Sequence, residues 1–385
     1  MKRIFVAGMG FTKIGDLWDK SIIDLAVEAG FKAMKASGTS NIDQVIVGNM
    51  FSAYSSNQEH LGAMIADGLG LMGVPAFKVE AANSSGSAAL NVGYTAIKSG
   101  MADSALIIGV EKMRDLEPSK IIEAISLAES AEFTQFFGAT FASLNAMLTK
   151  LYMQNYGVTV DELSAFPVLA HKNASLASHA QFRKQITSDD VAKSMIVSDP
   201  LRLLDCAPVG DGAAAIVMVS EEKASEAKSK VVELKSSTIA TNRFNLYERD
   251  DMLEFSATRR AAEKALSKAS VSIKDLDFIE VHDAFTIMAA LSIEAMGLSD
   301  KGMGAKDAKA GRFDLKGEFP INTFGGLKAR GNPIGATGVY QIAEAYLQLT
   351  DQAGQNQVKD AEFGMIHSLG GIDTTSIIHV LGRAD

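Results

Sequence analysis

The stretch Val79-Glu80-Ala81-Ala82-Asn83-Ser84-Ser85-Gly86-Ser87-Ala88-Ala89 passes from the end of an apolar segment through a polar turn into small residues. Ser87 to Ser99 has the composition of a helix, so the turn presents polar side chains at a strand-to-helix junction, the usual place of an α/β active site. Asn83, read alone, is an N-cap for that helix. Read with its neighbours, it stands where helix N-terminal amides stabilise an anion or a thiolate.

Outward from this turn, strand and helix signals alternate, which favours a layered α/β architecture. Ile4 to Ala7, Val45 to Val47, Ala105 to Val110 and Ala213 to Val219 read as strands, and Ser21 to Met34 reads as an amphipathic helix. From about Leu116 to Leu204 the texture shifts to longer helical stretches rich in Met, Phe and Ala. The second half repeats the first. Ile42 to Phe51 pairs with Leu276 to Phe285: a helix comes first, Asp43 or Asp277 marks the turn, and a strand ends in a loop. Asp211 to Ser220 likewise resembles Ile372 to Leu381. Similarity at so long a period points to duplicated domains and not to a solenoid, against the plainer alternative of chance likeness between helix–strand units. Two such domains face to face bring corresponding loops to one central cleft.

Composition narrows the partners. The chain of 385 residues has room for two or three domains and a large core. Its net charge of −9, with no basic stripe, argues against nucleic acid, although a phosphate-bearing ligand needs only a local cationic patch. Cys206 is the sole cysteine, which excludes an internal disulfide and a cysteine-based metal cluster. No apolar run reaches the roughly 18 residues of a membrane span. Met1 to Gly8 reads as a strand and not a signal peptide, and Gly382-Arg383-Ala384-Asp385 carries no peroxisomal or prenylation motif. A cytoplasmic protein is expected.

Three further loops place polar residues after apolar strands: Val281-His282-Asp283-Ala284-Phe285, the segment 325–338 containing Gly331-Asn332-Pro333-Ile334-Gly335, and Ile366-His367-Ser368-Leu369-Gly370-Gly371. Singly, such histidines are more often structural and such glycines serve turns. They occur in order with Gly109-Val110-Glu111-Lys112-Met113, His171-Lys172-Asn173, Ala180-Gln181-Phe182 and the stretch from Asp199 to Pro208 that leads into Asp211-Gly212-Ala213-Ala214-Ala215. Together they resemble the thiolase superfamily over essentially the whole chain, within it the archaeal acetoacetyl-CoA thiolase and sterol-carrier-protein thiolase branch.

The resemblance implies a thiolase fold, with two duplicated layered α/β/α domains in five layers plus an inserted loop domain. Residues 1–118 and 205–235 form its N-terminal half, 119–204 the insert on the CoA and tetramer side, and 236–385 its C-terminal half. It places the family's nucleophilic cysteine at Asn83 and the base histidine of the Gly-His-Pro loop at Asn332. His282 corresponds to a histidine that positions the thioester oxygen, His367 to an acid or base at the α-carbon, and Gly370 and Gly371 to backbone donors near the acyl group. Cys206 lies in a motif where the family also has cysteine, and its role there is structural.

An asparagine carboxamide is neither a nucleophile nor a titrating base near neutrality, and loss of both groups removes several orders of magnitude in rate. Both asparagines still donate hydrogen bonds to a thioester or enolate oxygen. Ser84, the nearest hydroxyl, is one position off and points elsewhere on the turn. Three readings stay open. One is a non-catalytic acyl-CoA-binding subunit of a larger complex, the second a cysteine-independent lyase using His282 and His367, the third an active acetyl-CoA C-acetyltransferase by another route. The resemblance further implies coenzyme A or acyl-CoA as ligand, no tightly bound cofactor, and no metal. As partners it implies a homodimer or dimer of dimers, an OB-fold/zinc-ribbon protein and a hydroxymethylglutaryl-CoA synthase-like protein. For CoA it offers His171, Asn173 and Gln181, with charge from Lys172, Arg183 and Lys184; Arg243 and Arg249 form a second patch. Met147 and Met153 line an acyl pocket, make a tetramer contact, or pack in the core.

Overall fold

The computed structural model describes residues 2–39 and 41–384; Met1, Ser40 and Asp385, which include the outer ends of both expected halves, lie outside the described residues. Among the described residues eleven strands form, at β1 (Ile4–Phe11), β2 (Gln44–Gly48), β3 (Ala76–Val79), β4 (Ser104–Glu111), β5 (Ile196–Ser198), β6 (Leu201–Arg202), β7 (Gly212–Ser220), β8 (Val232–Thr241), β9 (Phe278–Glu280), β10 (Phe363–Gly370) and β11 (Thr375–Arg383). Nine run in the order β3-β2-β4-β7-β1-β8-β11-β10-β9, while β5 and β6 pair alone.

That order contains one pattern twice. In the first half β2 and β4 are parallel, and β4–β7 and β7–β1 antiparallel. In the second, β9 and β10 are parallel, and β10–β11 and β11–β8 antiparallel. The copies meet where β1 touches β8 at Phe5↔Glu233 and Val6↔Val232. The two turn aspartates do the same work in each copy. The Asp43 carboxylate accepts the amides of Asp103 and Ser104, both at 2.8 Å, as the chain enters β4. Asp277 accepts those of Glu362 (2.7 Å) and Phe363 (2.9 Å) at the entry to β10.

Alternation along the strands sorts side chains into layers. Val45, Val47, Leu106 and Ile108 face an outer core with Leu25, Ala26 and Ala29 of the Ile22–Ser37 helix, which starts after Ser21 in a capping box with Asp24. Ile46, Ala105 and Ile107 face the opposite way, into a central core shared with the Ser85–Lys98 and Thr337–Leu349 helices and with Phe278, Ile366 and Leu381 of the second half. Ile279, Met365, Ile378 and Val380 face a third core beneath the Ser256–Ala269 and Thr286–Ala295 helices. Helix, sheet, central helices, sheet and helix make the five layers of a thiolase fold. Each central helix comes from one half. The loop ahead of one holds Asn83; the loop ahead of the other holds Asn332.

Candidate active site

Ala82 adopts a left-handed conformation with φ of +49°. The amides of Ser84 and Ser85 then donate back to the carbonyls of Ala81 (3.1 Å) and Ala82 (3.0 Å), so the chain doubles over within this turn. The helix begins at Ser85 with Ser84 in the capping position, which corrects the expectation that Asn83 is the N-cap. The left-handed residue carries the helix start one position further along. Asn83 Oδ1 is instead buried with no partner in the protein. The hydroxyls of Ser84 and Ser85 donate to the carbonyls of Ala81 and Ala82, each at 2.6 Å. Ser84 is therefore occupied within the turn.

Asn332 accepts a hydrogen bond from the Thr337 hydroxyl at 2.7 Å through its Oδ1, at the head of the second central helix. Asn83 and Asn332 line one cavity of about 330 Å³ whose remaining wall is mostly apolar, including Ile122, Phe141, Val209, Phe285 and Ile334. The corresponding loops of the two halves thus converge on one cleft. Glu111, fully buried at the end of β4, staples this junction. Its carboxylate accepts Asn49 Nδ2 at 2.7 Å and the amides of Met50 at 2.9 Å and Gly335 at 3.0 Å. Burial pushes Glu111 up to about 7, with those amides pulling the other way.

His282 and His367 lie outside the cavity wall, both fully buried. The His282 amide donates to His367 Nδ1 at 3.3 Å, and His367 Nε2 lies 3.1 Å from the Thr258 hydroxyl. The ring Nδ1 of His282 has no protein partner. Burial, helped by the Arg330 guanidinium, pulls His282 down to about 3. Burial and then His282 hold His367 well below the usual imidazole range. Both rings are neutral at physiological pH.

Gly370 ends β10 against the Asn83 turn: a Cβ there would lie 2.6 Å from the Ala81 carbonyl and 2.9 Å from Ser84 Oγ. Gly371, at φ +64°, borders Glu129, whose carboxyl is raised to about 7 by burial against the opposing pull of Arg249.

The expected insert residues serve as tethers. His171 Nδ1 pairs with the Lys184 carbonyl at 3.0 Å, Asn173 donates to the Asn322 carbonyl at 3.1 Å, and Gln181 donates to the Val209 carbonyl at 3.3 Å. None of the three lines the cavity. Lys172 pairs with Asp314 at 2.9 Å, while Arg183 and Lys184 are exposed. Arg243 lines a separate polar groove of about 620 Å³ with Arg249, Arg259 and Arg260. Arg249 itself is buried, its guanidinium held by the carbonyls of Arg243 and Ile372. Burial pushes the Cys206 thiol up to about 11, and its neighbour Ala207 is the residue on the cavity wall. Met147 is exposed and Met153 packs against the third core. Sequence reasoning missed as site neighbours Glu111, Glu129, Thr258 and Asp373, whose carboxylate accepts the Thr258 hydroxyl at 2.7 Å. For Glu111 a signal existed, a carboxylate ending an apolar strand; the other three are brought in only by tertiary structure. Among the described residues no cluster of His, Cys, Asp and Glu has the makings of a metal site, and no helix is long and apolar enough to cross a membrane.

Residues 4–222 match the family described as thiolase, N-terminal domain, and residues 238–383 that described as thiolase C-terminal domain-like. The chain belongs to the thiolase family. Among the chain's relatives is the acetyl-CoA acetyltransferase of Methanothermobacter thermautotrophicus, 40% identical over 100% of both chains. Sterol carrier protein 2 of Oryctolagus cuniculus is 31% identical over 96% of this chain and 70% of its own length. A solved structure described as the Ltp2-ChsH2(DUF35) aldolase shares the fold at a TM-score of 0.86 and 22% identity, over 99% of this chain and 98% of that one.

Proposed function

We propose that this thiolase-family chain binds acyl-CoA without forming a covalent acyl-enzyme, as a non-catalytic subunit of an acyl-CoA-processing complex. In this reading Asn83 and Asn332 occupy the family's nucleophile and base positions, and residues 119–204 are an inserted domain on the ligand side. The observation that carries it is the cavity where the two central-helix loops meet, whose polar lining is Asn83, Asn332 and Thr140. Neither carboxamide attacks a thioester or takes up a thiol proton. Ser84 is committed to its own turn, and the raised thiol of Cys206 is a poor thiolate. The name of the Methanothermobacter relative supports an acyl-CoA ligand. A protein partner is supported by the exposed Phe133, Phe136 and Phe137 on the insert and by the DUF35 component in the description of the aldolase.

A second reading is favoured by His282 and His367. A lyase without an acyl-enzyme needs a base for an α-proton, and His282 Nδ1, with no protein partner, and His367 Nδ1, held only by the long contact to the His282 amide, are the basic nitrogens behind the cavity wall.

The test is thiolysis of acetoacetyl-CoA by purified protein plus CoA, followed as loss of enolate absorbance, beside an Asn83→Cys/Asn332→His variant. The unmodified protein is expected to bind acetoacetyl-CoA without turnover, and the double variant to gain turnover. Robust thiolysis by the unmodified protein would overturn the proposal and make it an active acetyltransferase. Solvent deuterium appearing at the α-carbon of acetyl-CoA would select the lyase over the silent subunit.

A further inference from the structure

Behind the Gly370–Gly371 turn, four groups on four segments form one directed line of hydrogen bonds. It starts at the backbone amide of His282, just past β9. It crosses the His367 ring in β10 and the Thr258 hydroxyl in the first turn of the Ser256–Ala269 helix. It ends at Asp373 in the β10–β11 turn. A backbone amide only donates, so His367 Nδ1 at 3.3 Å from it must hold a lone pair. The ring is neutral, so its one proton sits on Nε2 and is donated to Thr258 Oγ1 at 3.1 Å. Thr258 passes its own proton to Asp373 Oδ1 at 2.7 Å. Ser376 Oγ stands 3.1 Å from the same hydroxyl.

Asp373 is built to be the acceptor at the end of this line. Besides Thr258 Oγ1 it takes the amides of Ala257 at 3.0 Å and Thr258 at 2.9 Å, and Asn242 Nδ2 at 3.1 Å. Four donors on two oxygens leave no site for a proton, and the helix N-terminus favours the anion, although burial raises the carboxyl's pKa. The residue holds a left-handed φ of +55° to reach this position, a conformation that costs an aspartate on the order of 1 kcal/mol. Helix capping alone would be met by a residue at the N-cap; a strained aspartate from another turn brings its carboxylate to the Thr258 hydroxyl as well.

We infer that Thr258 and Asp373 are positioning residues that fix His367 as the Nε2–H tautomer and leave Nδ1 as its basic atom. For its catalytic consequence the inference rests on the lyase reading: a ligand α-proton then leaves through Nδ1 once the long contact to the His282 amide gives way. The tautomer itself is a property of the free protein. Without the hydroxyl, Nε2 has no acceptor and only the long 3.3 Å contact from the His282 amide favours the tautomer.

The experiment uses the full chain labelled with ¹⁵N-histidine and long-range ¹H–¹⁵N NMR, with the His367 signals assigned by their loss in His367→Gln. The expected result is a single Nε2–H tautomer in the unmodified protein, a mixture of tautomers in Thr258→Val, and return to the single tautomer in Thr258→Ser. Deuterium exchange of acetyl-CoA is expected to fall by about tenfold or more in Thr258→Val and to recover in Thr258→Ser. An Nδ1–H tautomer in the unmodified protein, or a spectrum unmoved by Thr258→Val, overturns the inference. The Nε2–H tautomer in a protein that shows no exchange would sink the lyase reading and leave the positioning role standing.

Discussion

Burial leaves a ring nitrogen without a protein partner at His282, and His379 shows that condition in its barest form. The residue sits in β11 with no exposed surface and neither ring nitrogen bonded within the protein. Burial pulls its pKa down to about 3, against about 6.5 in an unfolded chain. Between those values the unfolded state binds the extra proton, so the stability contribution is full above about pH 6.5 and is lost as pH falls towards 3. Glu111 and Glu280, raised to about 7 and about 8, tilt the other way, with stability lost as pH rises through those values. Comparing the unmodified protein with His379→Leu cancels them. Urea denaturation at pH 7 and at pH 5 is expected to cost the unmodified protein about 2 kcal/mol more than the variant. Equal losses would mean that the ring is not neutral in the fold, or is solvated there.

At the scale of elements, much was legible. The Ser21 helix start and the strand runs were visible because each depends on residues a few positions away, and Asp43 and Asp277 were visible as a repeated turn residue, although the amides they accept lie 60 to 86 positions on. The N-cap at Asn83 misread for the opposite reason. The turn's shape depends on Ala82 in a left-handed conformation and on Gly370 pressed against the Ala81 carbonyl from far along the chain. Thr258 likewise meets His367 across 109 positions, a separation at which one sequence carries no signal. The central helices depend on such a contact too. A Cβ at Gly338 would stand 2.2 Å from Ser87 Oγ and 2.7 Å from the Ser87 amide, so glycine sets how closely the two helices approach. Gly338→Ala must therefore part them, at a cost of about 1–3 kcal/mol. Thermal denaturation is expected to show a lowered Tm. Acetoacetyl-CoA affinity should fall with it, because Asn83 and Asn332 stand on the loops those helices carry. An unchanged Tm would mean that the helices can slide without loss, and that their spacing does not define the cleft.

On the scale of the whole molecule, the segment around His179 and Gln181, the Asn332 loop and a central helix are joined by buried charge. Arg330, with no exposed surface, donates to Glu344 Oε2 at 2.7 Å and lies over the Tyr340 ring at 5.5 Å. The other Glu344 oxygen is 2.8 Å from His179 Nε2. The carbonyls of Arg330 and Ala329 take the amides of Gln181 and Phe182, at 2.8 and 3.0 Å, so Gln181 anchors the loop that leads to Asn332. Glu280 beside them is raised to about 8 by burial and by Glu344, and so keeps its proton at neutral pH. One cation then faces one carboxylate. Removing the cation alone strands Glu344 in the core, and Arg330→Met is expected to cost about 3–5 kcal/mol in urea denaturation. Adding Glu344→Leu removes the stranded charge and should restore most of that loss, since a buried pair is often no better than well-packed apolar groups. The two variants also separate stability from cleft geometry. If the double variant regains stability but not acetoacetyl-CoA affinity, the pair's role is to aim the Asn332 loop. A single variant costing less than about 1 kcal/mol would mean that water reaches Glu344, and that the His179–Gln181 segment is held to the Asn332 loop by its backbone tethers alone.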